Sequence, residues 1–177
     1  HMGFVLLGLA ALNLEGLDGA VLQMFSHGVL GAALFALVGG VVYARTHSRQ
    51  LDDFHRLTDR MPGVAWTFIV AGLASMGLPG FSGFVSELYA LIGVWKSDQL
   101  GWPILALAGL GILLAFGYVL VKTHEAFFRS NSALSEEEAA VTYDPMSCAE
   151  KAACFLLLGS SLAVGLYPTV LTQWIEP

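Results

Sequence analysis

The stretch Val64–Trp95, VAWTFIVAGLASMGLPGFSGFVSELYALIGVW, decides the fold. As one unbroken helix it would run roughly 48 Å at about 1.5 Å per residue, well beyond a hydrocarbon core about 30 Å thick. It is predicted to break at Gly77-Leu78-Pro79-Gly80. Pro79 lacks the N–H that would bond the Ser75 carbonyl, and Gly77 and Gly80 permit non-helical backbone. Beyond the break stands Glu87, the one carboxylate in a stretch without basic side chains. A carboxylate near mid-depth of a bilayer costs about 2.5–3.5 kcal/mol or more unless protein, water or a counter-charge receives it. An interrupted helix beside an intramembrane acid is therefore the expected functional centre.

The whole chain shares the character of this stretch. Its 177 residues are 56% hydrophobic and 12% charged, with a mean hydropathy of +0.69, which describes an integral membrane protein. Long apolar runs recur and barrel-type alternation does not, so the expected fold class is all-α, a polytopic transmembrane helix bundle with one discontinuous helix. The formal charge of −6 comes largely from acidic connections such as Glu136-Glu137-Glu138. The lipid bilayer is the expected surrounding, and no nucleic-acid partner is expected. Cys148 and Cys154, six apart, point to different faces of a helix and read as packing residues.

Working outward, residues 19–44 form the preceding span, in which Gly28, Gly31, Gly39 and Gly40 are expected to let neighbours approach closely. Ahead of it Glu15 and Asp18 read as a short acidic turn, and Gly3–Leu12 as a run too short to cross a bilayer. That run is either the end of a spanning helix that begins upstream, or His1-Met2 is a cloning scar. After the broken span at 64–95 come spans at about 102–128 and 146–167. Between these two, Ser135 and Glu138 have capping-box spacing, which predicts a short surface turn of helix. Chain 1–177 is thus one transmembrane domain: the end of one spanning helix plus four spans. Arg45, Arg49, Arg56, Arg60, Arg129 and Lys151 fall on one side and Lys96 on the other, so the first side should face the cytoplasm or its organellar equivalent and the C-terminus the outer side. Trp66, Trp95, Trp102 and Trp174 lie at span ends, as interfacial anchors do.

Two readings of Glu87 stand side by side. It is a protonatable group in a proton path, or a structural carboxylate satisfied by the loosened backbone at Gly80–Gly83. The first is preferred because an uncharged residue can make a fixed hydrogen bond equally well. His27 is either a relay, taking a proton on one ring nitrogen and releasing one from the other, or a satisfied core histidine with Gln23 and Ser26 for company. Lys122 sits close enough to its span end to snorkel, and His124 and Glu125 share that surface reading. His47 and His55 lack Cys or acidic partners at ligand spacing, so no metal site is expected. No nucleotide loop, nucleophile elbow or haem-attachment motif is present, and no cofactor is expected in this chain.

The runs HMGFVLLG, LQMFSHGVLGAALFALVGG, YARTHSRQL and MPGVAWTFIVAGLASMGLPGFSGFVSEL closely resemble the C-terminal part of the antiporter-like M-type (chain 4-type) membrane subunit of respiratory complex I. The resemblance covers nearly the whole chain. It implies the C-terminal part of an inverted-repeat fold, from the end of the tenth helix through the fourteenth, with the twelfth discontinuous. It places the family's proton-exchanging glutamate on Glu87 in FVSEL, and its central-axis histidines on His27 in SHG and His1 in HMGF. That favours a natural Ser-His-Met-Gly context over a cloning scar. The family's glutamate–lysine pair of the first repeat and its middle lysine lie upstream of these residues. The chain is therefore expected to be inactive alone, or to work only with a separate chain that supplies them. Glu125 follows His124 where the family often has an arginine, so no role is carried onto either.

The implied function is proton translocation as a membrane subunit of NADH–quinone oxidoreductase, an enzyme complex whose redox sites lie outside this chain. The implied partners are other complex I membrane subunits, including neighbouring antiporter-like ones. The implied location is a bacterial plasma membrane or the inner membrane of an energy-transducing organelle. The alternatives are a sodium/proton antiporter or membrane-bound hydrogenase subunit of the same superfamily, and a structural membrane scaffold that does not pump.

Overall fold

A computed structural model describes residues 1–53, 56–129 and 141–175, and all regular elements among them are helical. The predicted turn at Ser135–Glu138, the acidic run 136–138 and His55 lie outside the described residues. Among the described residues three helices are long and apolar enough to cross a membrane: Leu14–Thr46, Gly101–Phe127 and Cys148–Leu166. A shorter apolar helix, Pro62–Ser75, and the helix Ser82–Lys96 make up the broken span. In chain order the main helices are α1 (Met2–Ala10), α2 (Leu14–Thr46), α3 (Pro62–Ser75), α4 (Ser82–Lys96), α5 (Gly101–Phe127) and α6 (Cys148–Leu166).

The helix starts and stops follow from local chemistry. Asn13 caps α2, its side-chain oxygen accepting from the Gly16 N–H at 2.8 Å. Glu15 and Asp18 are consequently not the acidic turn predicted for them: both lie inside the opening turns of α2, where the helix dipole favours negative charge, and Asp18 is buried. Within α2 the residues Ala36–Val42 are π-helical, a looser winding than the α-helix on either side. His47, with φ +53°, ends the rod in the left-handed region.

The break in the span has a defined mechanism. Gly77 takes φ +82°, its N–H donates to the Ala74 carbonyl (3.3 Å), and the Leu78 N–H donates to the Leu73 carbonyl (3.1 Å). This pair of bonds is a Schellman motif, which satisfies two of the last carbonyls of α3. Pro79 follows once the helix has already stopped, so Gly77 makes the stop and Pro79 prevents its resumption. After Gly80 (φ +104°) and an extended Phe81, α4 begins at Ser82.

Helix α6 opens with a capping box: Ser147 Oγ accepts from the Glu150 N–H at 3.2 Å and a Glu150 carboxylate oxygen accepts from the Ser147 N–H at 2.7 Å. The same carboxylate receives the guanidinium fork of Arg45 at 3.1 and 2.9 Å. Arg45 also donates to the carbonyls of Asp144 and Pro145, tying the end of α2 to the start of α6. Around this tie lies the main apolar cluster, where Leu37, Val41 and Val42 meet Leu57, Met61, Val64, Phe127, Met146 and Cys154. At the other end of the bundle Lys96 pairs with Glu15.

Close helix approach is concentrated on other glycines than those predicted. A Cβ on Gly19 would lie 2.3 Å from the Ala90 nitrogen, one on Gly93 2.5 Å from the Gly16 nitrogen, and one on Gly8 2.4 Å from the Gly16 carbonyl oxygen. These contacts fuse α1, α2 and α4 backbone to backbone. At Gly28, Gly31, Gly39 and Gly40 a Cβ would meet nothing within 4 Å, and Gly31 and Gly39 border open clefts instead of a packed neighbour.

Candidate functional site

Glu87 stands in the second turn of α4 and is 7% exposed. Its carboxylate reaches back to the break: a Cβ on Gly77 would come within 2.8 Å of Glu87 Oε2, so the positive φ and the missing side chain at Gly77 both make room for the acid. The preceding residue, Ser86, is buried and hydrogen-bonds the Gln23 side chain of α2, with the Gly83 carbonyl 2.8 Å away. This cross-helix bond fixes the rotation of α4 about its axis, and with it the direction of Glu87.

The far side of the break is braced by α6. The hydroxyls of Ser82 and Ser161 are hydrogen-bonded at 2.8 Å with both residues fully buried, and one turn on, a Cβ on Gly165 would lie 2.2 Å from the Gly80 carbonyl oxygen. Sequence reading singled out neither Ser161 nor Gly165. The available signal was their spacing of four, which puts two small residues on one face of the helix.

Among the described residues three half-open clefts follow one another along the bundle. The first, about 400 Å³, is lined by Glu87 and Met76, by His1 and Phe4, and by one face of α5 from Ile104 to Ala115. The second, about 380 Å³, is lined by His1, His27, Gln23, Ser26, Ser75 and Tyr118. The third, about 660 Å³, shares Phe35, Phe68, Ser75 and Tyr118 with the second and extends to Ser48, Arg49, Lys122 and Thr123, on the side of the arginine-rich loop. His1 lines both the Glu87 and the His27 cavities, and the two imidazole centroids are 6.0 Å apart. Ser75, whose hydroxyl donates to the Gly72 carbonyl at 2.8 Å, is with Tyr118 a polar side chain at the junction of the second and third cavities, and sequence reading did not single it out.

The structure therefore brings Glu87, His1 and Gly77 around one cavity system and adds His27 through His1. Pro79 lies on the exposed outer turn of the break. Lys122 pairs with Glu125 at 2.6 Å on the same helix, and the His124 ring stacks on Phe128. Among the described residues no group of three His, Cys, Asp or Glu side chains is placed to hold a metal ion.

A broken spanning helix whose acid lines one of a series of clefts is the arrangement of an antiporter-like membrane subunit. The chain belongs to the family described as NADH:quinone oxidoreductase/Mrp antiporter, TM, which matches residues 1–116. It is an integral membrane protein. Along its length it is 40% identical to the NAD(P)H-quinone oxidoreductase chain 4 of Acaryochloris marina, covering 98% of this chain and 33% of that one. It is 37% identical to the NADH-quinone oxidoreductase subunit M of Rhodobacter capsulatus, covering 100% of this chain and 33% of the relative. The chain thus spans about a third of the length of the curated relatives it matches. Among solved structures, a chain of respiratory complex I from Thermus thermophilus superposes with a TM-score of 0.85 at 27% identity, covering 98% of this chain and 34% of that chain. A chain of the Mrp complex from Dietzia superposes with a TM-score of 0.77 at 23% identity, a likeness of fold alone.

Proposed function

We propose that the chain forms the C-terminal part of a proton-translocating, antiporter-like membrane subunit of an NADH–quinone oxidoreductase. Electron transfer elsewhere in the complex drives protons through it. Glu87 exchanges its proton with the outer aqueous side, and His1 and His27 pass protons between Glu87 and the cavity on the arginine-rich side. The observation that carries this reading is the position of His1, which borders both cavities with its ring centroid 6.0 Å from that of His27. A neutral imidazole donates from one nitrogen and accepts on the other, which suits that place. Other membrane subunits of the complex are the expected partners. The arginine-rich loop faces the cytoplasm or its organellar equivalent, which puts the C-terminus outside.

A chain of the Mrp complex shares the fold, and the names of the relatives at about 40% identity favour the oxidoreductase over a sodium/proton antiporter. The test is Glu87→Gln in the assembled complex, reconstituted in sealed vesicles with proton uptake and quinone reduction recorded together. A conduit role predicts that pumping and coupled turnover fall at least several-fold, independent of whether sodium or potassium is the counter-cation. An unchanged proton-to-electron ratio would leave Glu87 as a structural carboxylate in a scaffold, and a sodium requirement would favour the antiporter.

A further inference from the structure

Away from the cavity chain, α3 and α6 leave a groove of about 450 Å³ between them. Along α6 it is lined by Lys151, Phe155, Leu158 and Leu162, at spacings of four, three and four that place them on one face. Along α3 it is lined by Trp66 and Val70. From Lys151 to Leu162 the groove runs about 16 Å at about 1.5 Å per residue, close to half of a hydrocarbon core about 30 Å thick. It is one leaflet deep.

The two ends differ in chemistry. The deep end is apolar and closes at Phe81, beside the break. The shallow end carries the Lys151 ammonium and the indole of Trp66, which is 60% exposed. Glu150, the acid next to Lys151 in sequence, has its carboxylate committed to the Arg45 fork and to the α6 cap. Among the described residues Lys151 takes part in no ion pair. A cation above an apolar slot of leaflet depth, with an indole at headgroup level, matches one chemistry: a phosphate attached to an acyl chain.

We propose that the groove between α3 and α6 is a binding site for an anionic phospholipid of the leaflet on the arginine-rich side, its phosphate on Lys151 and one acyl chain laid along Phe155, Leu158 and Leu162. The lipid fills the flank of the interrupted span, along the groove that α3 and α6 leave open.

The experiment uses the membrane-embedded protein in vesicles doped with a photoactivatable acyl-chain lipid, either phosphatidylglycerol or phosphatidylcholine, with cross-links mapped by peptide mass spectrometry to residues 151–162. The wild type should favour the anionic probe about fivefold, the value of one interfacial lysine. Lys151→Gln should bring the ratio close to one, and Lys151→Arg should retain it. Leu158→Trp, which fills the slot, should lower the yield of both probes. A wild-type ratio near one, an unchanged ratio in Lys151→Gln, an undiminished yield in Leu158→Trp, or a protein segment seated in the groove that excludes both probes would each overturn the assignment.

Discussion

The two halves of the interrupted span are built in opposite ways. Helix α3 buries Val64, Ala65 and Ala71 in the apolar cluster, and its polar Ser75 borders two cavities. Helix α4 buries Ser82, Ser86 and Glu87, is held backbone to backbone against α2 at Gly19 and Gly93, and is hydrogen-bonded to α2 through Gln23 and to α6 through Ser161. The contrast shows how a membrane protein keeps an acid in place. The half that carries it is pinned by glycine contacts and hydroxyl bonds, and the other half is seated mainly by apolar packing.

This contrast is most severely tested at Gly165. Replacement by leucine drives a side chain into the backbone at Gly80 and Phe81, and the expected loss is about 3 kcal/mol or more, with no rotamer to relieve it. Thermal unfolding of the purified protein should show the largest drop in melting temperature of the substitutions considered. If Gly165→Leu melted like the wild type, the brace between α6 and the break would be discarded. Gly77→Ala comes next: left-handed backbone costs a non-glycine residue about 1–2 kcal/mol, and the new methyl also crowds Glu87 Oε2. Destabilisation of that size together with slowed proton uptake is expected, and a stable variant with native uptake would separate the acid from the break. At Gly31 the open surroundings predict the reverse. Gly31→Ala should be neutral or stabilising by up to about 1 kcal/mol in the same melt, since a helical glycine gains from a methyl group that meets nothing.

Much of this arrangement was readable from residues alone, and the line between legible and hidden is physical. A 32-residue apolar run with Gly-Leu-Pro-Gly in its middle is too long for one span, so the break follows from length. Glu87 is conspicuous because a charge is costly where everything around it is apolar. The wrong glycines were expected to mediate close contact because periodicity shows which residues share a face of α2, while the face α4 occupies is set by long-range packing. The same ignorance of packing hid Ser161, Gly165 and the bridging position of His1. One omission was local: Ser147 and Glu150 carry a capping-box spacing that sequence reading did not use. The proline at the break drew attention from the glycine that ends the helix, since a missing N–H is visible in sequence and a left-handed φ is not.

Neither half of the interrupted span reaches the ~20 apolar residues needed to cross lipid by itself. During biogenesis the machinery that hands nascent chains to the bilayer therefore meets two stretches that would each stall at its threshold. The glycine seam resolves this, because α4 has a partner already in position when it emerges: α2, made earlier, presents bare backbone at Gly16 and Gly19. Insertion of the acid is thus a templated event, and a lesion in that seam would surface first as failed delivery to the membrane.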